Sequence, residues 1–159
     1  MGGFAMFHDI AAFIQAAYGS DNAAFTAGGS GNNSQVTGLI VDRSAFDMPL
    51  SAAVCIRWKA TLQAMQTLSL SWVVQHGTES NLGDASTFAS GGPTVVATGP
   101  SGGGTLEGVL QIPINLGGAE EFIRVLFTPD LSASGTDTGQ ADVTIVFGGQ
   151  SEIPQENPS

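Results

Sequence analysis

Positive charge is scarce in this chain. Of its 159 residues, four are Lys or Arg (Arg43, Arg57, Lys59 and Arg124) against 14 Asp and Glu, a formal net charge of -10. Nucleic-acid binding draws its affinity from many Lys and Arg contacts to phosphate, so a nucleic-acid partner is excluded. An anionic membrane surface is disfavoured on the same ground. Cys55 is the single cysteine, which rules out an intrachain disulfide and a cysteine-built zinc site. The two histidines, His8 and His76, leave little material for nucleophilic or metal catalysis, and no cofactor is implied. No apolar run nears the roughly 18 residues of a membrane-spanning helix. The first residues carry no positive stretch and no clean small-residue cleavage site, so they are not read as a signal peptide.

What is present is apolar and rich in turn formers: 42% hydrophobic residues, 22 Gly and 7 Pro. That is enough to bury one core of ordinary domain size. Period-2 alternation recurs along it. Ala52, Val54, Ile56 and Trp58 alternate with Ala53, Cys55, Arg57 and Lys59; Leu68, Leu70, Trp72 and Val74 do so more cleanly; Leu110, Ile112, Ile114 and Leu116 follow. Segments 35–42, 94–98, 122–127 and 143–147 are further strand candidates, separated by Gly, Ser, Asn and Asp loops. Pro113 has no N–H for a ladder, so its strand belongs at an edge or a bulge. The fold expected is all-β, an antiparallel β-sandwich or jelly roll of about 7–8 strands.

The organisation expected around it has four parts. Residues 1–27 form an apolar N-terminal arm, in which Ile10, Phe13, Ile14, Ala17 and Tyr18 at helical spacing predict a short helix over 9–18. Residues 28–35 have the composition of a flexible linker, 36–150 hold the sandwich, and 151–159 read as a C-terminal tail with little to bury. Phe4, Phe7, Ile10, Phe13 and Ile14 are too many large apolar groups for a free terminus. They are the candidate assembly contacts, together with Arg57 and Lys59 on one strand face, a basic stripe suited to an acidic patch on a neighbouring subunit.

The motifs that suggest chemistry are weak. The glycine runs at 28–31 and 99–105 lack the Lys and following helix of a phosphate-binding loop and read as hairpin loops. Asp137, Thr138 and Gly139 spell the aspartic-protease tripeptide, so a dimeric aspartic protease is a remote alternative. The Ser132–Thr136 residues before it are a loop and not the apolar strand such an enzyme uses. Asp130 to Gly135 imitates the start of an EF-hand, but the twelfth position is Ala141, which leaves only incidental Ca2+ binding by Asp130, Asp137 and Asp142. His76 with Glu79 or Asp84 could form an acid–base pair, though a turn histidine bonding locally is the simpler reading. The chain is expected not to be an enzyme.

The run Trp72, Val73, Val74, Gln75, His76, Gly77, Thr78, Glu79, Ser80, Asn81, followed by Asp84, Ala85, Ser86, Thr87 and Phe88, resembles tailed-bacteriophage head proteins. Low charge and abundant small residues resemble the head decoration, or capsid cement, proteins among them. The resemblance implies a jelly-roll protein on the outer capsid of a virion, clamping subunits of the major capsid protein and associating with its own copies, made in the host cytoplasm. It brings no catalytic residues. A phage tail or receptor-contacting β-sandwich is the alternative; that reading wants aromatic loop tips, whereas the long loops here hold Gly, Ser, Thr and Asp.

Overall fold

Alternating apolar residues settle as strands when a facing sheet can bury their inner side. The computed structural model describes residues 10–149, and there the alternations become two antiparallel sheets. The strands are β1 (Gln15–Thr26), β2 (Val36–Thr37), β3 (Val41–Asp42), β4 (Ser51–Leu62), β5 (Thr67–Gly77), β6 (Ser86–Thr98), β7 (Gly104–Asn115), β8 (Phe122–Leu131) and β9 (Thr138–Gly148). One sheet has the order β1-β9-β4-β7. The other has the order β2-β8-β5-β6, with β3 also paired to β8. Their inner faces share one core, built from residues such as Val54, Ile56, Leu68, Leu70, Val125, Phe127, Ile145 and Phe147.

The pairing is nested. β5 pairs with β6, β4 with β7, β2 and β3 with β8, and β1 with β9, like one long hairpin closing outward from its tip. Rolling that hairpin over adds the β4–β9 and β5–β8 pairs. Pro113 lies on β7, an edge strand, where its missing N–H disturbs no second neighbour.

Three aromatic rings lie on glycines directly across the ladder. Trp58 is opposite Gly108, Trp72 opposite Gly91 and Phe25 opposite Gly139. A Cβ built on Gly108 or Gly91 would stand 2.8 or 2.7 Å from the indole, and Gly139 meets the Phe25 ring in the same way. Each glycine makes room for a ring that would otherwise be pushed off the sheet, and each ring covers backbone that a glycine leaves bare. Trp58 and Phe25 are buried; Trp72 is half-buried and packs against the core from the side of β6.

The helix expected over 9–18 is not formed. Residues Ile10–Ala12 make a single 3-10 turn, and from Gln15 the chain is β1. Ala17 points inward and Tyr18 outward, on opposite faces, whereas a helical stripe would have kept them together. Intrinsic preference favours helix in this alanine-rich stretch, but pairing with β9 from Gln15↔Phe147 to Thr26↔Thr138 overrides it. The segment 28–35, expected from composition to be a flexible linker, is tied down. Thr26 N–H donates to Ser30 O (2.9 Å), Asn33 N–H to Pro129 O (2.8 Å), and Leu131 N–H to Asn32 Oδ1 (2.8 Å). Phe4, Phe7 and the tail 151–159 lie outside the described residues.

Candidate functional site

The loops collect at two ends of the sandwich, and each end has a distinct chemistry. The first end carries the turn 43–50, the loops 78–85 and 116–121, and residues 10–14 where the described chain begins. Asp42 caps the 3-10 turn Arg43–Phe46, its carboxylate accepting from Ser44 N–H (2.9 Å). The cap turns Arg43 inward to 2% exposure. Its guanidinium donates to the Ala119 (2.6 Å), Glu120 (2.8 Å), Pro49 (2.6 Å) and Leu116 (3.4 Å) carbonyls, stitching the 116–121 loop to the 43–50 turn. Burial pulls the guanidinium below its ordinary pKa, and the Glu120 charge offsets part of that. Nothing in the sequence marks Arg43 for this role; a lone arginine after a short strand reads as surface.

Beside this clamp the outer face of the β1-β9-β4-β7 sheet sinks into a shallow depression of about 760 Å3, lined by Ile14, Leu50, Ala53, Pro113 and Val146 among others. Small side chains leave the hollow. Ile10 (71% exposed) and Leu50 (59%) stand open at the same end. Of the expected assembly contacts, Ile10 is thus exposed, Phe13 and Ile14 are half-buried, and Phe4 and Phe7 lie outside the described residues.

Arg57 and Lys59 point outward on β4, as the alternation required, but each meets a carboxylate of its own sheet. Arg57 donates to both Asp142 oxygens from the neighbouring β9, a pairing that raises its pKa. Lys59 lies 3.9 Å from Glu107 on β7. The other expected sites are kept apart. His76 Nδ1 accepts from Glu120 N–H (3.1 Å), and its ring leans on Phe88 with centroids 5.0 Å apart. Asp84 is committed to its own loop, accepting from Thr78 N–H (2.8 Å), Thr78 Oγ1 (2.7 Å) and Glu79 N–H (3.1 Å). These bonds hold its carboxyl below the usual aspartate range. Asp130, Asp137 and Asp142 do not converge, and no cluster of three or more metal-ligating side chains occurs among the described residues.

The second end gathers the loops 27–35, 63–66, 99–103 and 132–137. Asp137 sits beneath them, 2% exposed, just before β9. Its Oδ1 accepts from Gln63 N–H (3.0 Å), while Oδ2 has no hydrogen-bond partner among the described residues. Thr136, the residue before it, holds a left-handed backbone (φ 71) that a β-branched side chain rarely adopts.

Fold and site together define a two-sheet antiparallel β protein with a filled core and an apolar hollow at one end. No protein-family model matches the chain, and no curated protein matches it. Among solved structures, it is similar to that of the infectious bursal disease virus Gx strain (TM-score 0.49, 11% identity), over 89% of this chain and 33% of that one. It is similar to the PBSX exported protein XepA (TM-score 0.41, 12% identity), over 95% of this chain and 42% of that one. A third likeness is to a Clostridium thermocellum xylanase, Xyn10B, containing CBM22-1 and GH10 modules (TM-score 0.32, 13% identity), over 86% and 26%. The chain therefore spans about a third of the first of these proteins and less than half of the second.

Proposed function

We propose that this chain is a structural protein of a virion, a jelly-roll module that binds neighbouring subunits of a phage-type head and catalyses no reaction. The observation that carries the reading is the nested strand order. With β2 and β3 counted as one interrupted strand, eight strands form two four-stranded sheets, paired first with last and so on inward. That is the pattern of two interleaved Greek keys found in viral capsid domains, lectins and cupins. A cupin keeps a ligand cavity inside its barrel; here Val, Ile, Leu and Phe fill the space between the sheets. Fold alone does not name a function. The assembly reading also rests on the exposed apolar end around Ile10 and Leu50, a kind of surface that marks a binding site, and on the resemblance of the 72–88 segment to head proteins.

In this reading Ile10, Phe13 and Ile14, with Phe4 and Phe7 ahead of them, pack on a neighbouring copy or on the major capsid protein. Many such weak contacts around a symmetric shell add by multivalency. The test is co-sedimentation of the full chain with head particles. A fixed stoichiometry to the major capsid protein is expected, and Leu50→Glu should weaken it without lowering the melting temperature. Failure to co-sediment, or a hydrolytic activity that vanishes with Asp137→Asn, would overturn the reading.

A further inference from the structure

We propose that β7 is a docking edge for a second copy of this chain. Two β7 strands pair antiparallel about a two-fold axis at Val109 and join their β1-β9-β4-β7 sheets into one continuous sheet. The surface is a strand edge and not the apolar end around Ile10 and Leu50. Its test needs no particle, so it stands or falls independently of the assembly reading.

Exposed sheet edges template pairing with other chains unless bulges, prolines, charges or shortness blunt them. The other edges of the described sheets are blunted. The register of β1 shifts between Tyr18 and Ser20 and again before Ala23. β2 is two residues long. β6 carries Gly91, Gly92 and Pro93 and shifts repeatedly against β5. β7 is different. It has β4 as its sole neighbour among the described strands, and their register runs without a shift from Ser51↔Asn115 to Leu62↔Gly104. It holds no Lys or Arg, and its one charge, Glu107, lies 3.9 Å from Lys59 of its own sheet. Val109, at its middle, is 57% exposed.

Pro113 sets the phase of the free backbone groups. It has no N–H, yet the ladder with β4 continues through Ala53↔Pro113 to Val54↔Ile112, so its nitrogen faces away from β4. Backbone groups alternate in direction along a strand, so Thr105, Glu107, Val109 and Gln111 also aim their N–H and C=O outward. Val143 on β9 turns its N–H to Ser20 of β1 (2.9 Å), and counting the alternation inward through Arg57↔Asp142 and Trp58↔Gly108 gives the same phase. An axis at Val109 sets Val109 opposite the partner's Val109, Glu107 opposite the partner's Gln111 and Thr105 opposite the partner's Pro113. That places aliphatic on aliphatic and carboxylate on amide, and the Thr105 N–H still finds the proline carbonyl. Moving the axis one residue either way sets Glu107 against Val109 or Pro113, and moving it to Glu107 opposes two carboxylates. The edge is thus complementary to itself in one register, which is why the partner is a second copy. A two-fold contact of this kind closes at two chains.

The experiment is sedimentation equilibrium of the full chain. A contact one strand wide sits at the weak end of specific interfaces, so it is run up to about 0.1 mM. A monomer–dimer equilibrium is expected. Val109→Pro, in the same phase as Pro113, removes one outward N–H and none that serves β4, and should give a monomer; Val109→Lys, which opposes two ammonium groups on the axis, should do the same. The register is read from charge. Gln111→Lys, facing Glu107, should tighten the dimer about fivefold and Gln111→Glu should weaken it as much, while Thr144→Lys, inside the sheet on β9, should change little. Leu50→Glu, at the apolar end, should leave this dimer intact. A wild type that stays monomeric at the highest concentration overturns the proposal. So does a dimer that survives Val109→Lys or is lost in Leu50→Glu, either of which moves self-association to another surface. If Val109→Pro does not fold, the Gln111 pair decides: equal dissociation constants for Gln111→Lys and Gln111→Glu refute the pairing.

Discussion

Replacing Arg43 with Met keeps most of the side-chain volume and removes every donor. The guanidinium serves four carbonyls from two separate segments, at Pro49 and at Leu116, Ala119 and Glu120. Each buried acceptor left without a donor costs about 1–3 kcal/mol. The Glu120 carbonyl lies in an exposed residue and recovers water, and the variant escapes the cost of burying a charge, so the four losses do not add in full. A net loss of about 3–5 kcal/mol is expected, a large share of the 5–15 kcal/mol that holds an ordinary domain together. For a chain of this length that corresponds to a fall in Tm of roughly 10 °C. Arg43→Lys should recover less than half of the loss, because one ammonium cannot fork between the two segments. Urea unfolding measures both. A loss under about 1 kcal/mol for Arg43→Met would refute the argument, since it would mean the loops hold their places without the clamp.

Other substitutions probe the sheets and the loops. Gly108→Val should destabilise by about 1–3 kcal/mol through the clash with the Trp58 ring, while Thr105→Val, on the outer face of the same strand, should change little; chemical denaturation of the pair checks this. Trp58→Ala should cost about 3–5 kcal/mol and Trp72→Ala, half-buried at the β6 side, distinctly less. The Asp84 carboxyl titrates lower in the folded chain than in the unfolded one. Its contribution is therefore whole above the ordinary aspartate pKa of about 3.9 and is lost as pH falls through the folded value. Tm measured between about pH 2 and 5 should fall less steeply in Asp84→Asn than in the wild type.

The sequence announced β4, β5 and β7 because each alternates over a span with one clearly apolar side. It hid β1, where alanine and a chance helical spacing mask a strand that only its partner β9 defines. The 86–98 strand was half visible: Thr94 to Thr98 read as extended, but Ser90, Gly91, Gly92 and Pro93 read as a turn. At a sheet edge such residues are tolerated as irregular strand, and the β5–β6 register shifts there. The site was less legible. Asp137 attracted notice for a tripeptide, whereas its distinguishing property is burial without a counter-charge, which only the fold reveals. Arg43 carried no signal, because its partners are backbone carbonyls distant in sequence.

The placement of β9 has a consequence for how the chain is made. It is the last strand described, yet it sits between β1 and β4 in the interior of its sheet, and β1 pairs with no other strand there. Until synthesis reaches residue 148, two long strands present bare hydrogen-bonding edges and the core lacks Val143, Ile145 and Phe147. A chain cut short by even a dozen residues of the described fold would have an open, sticky sheet in place of a finished one. Completion of β9 is thus the step that closes the described sandwich: without it β1 has no partner in its sheet and β4 keeps one edge bare.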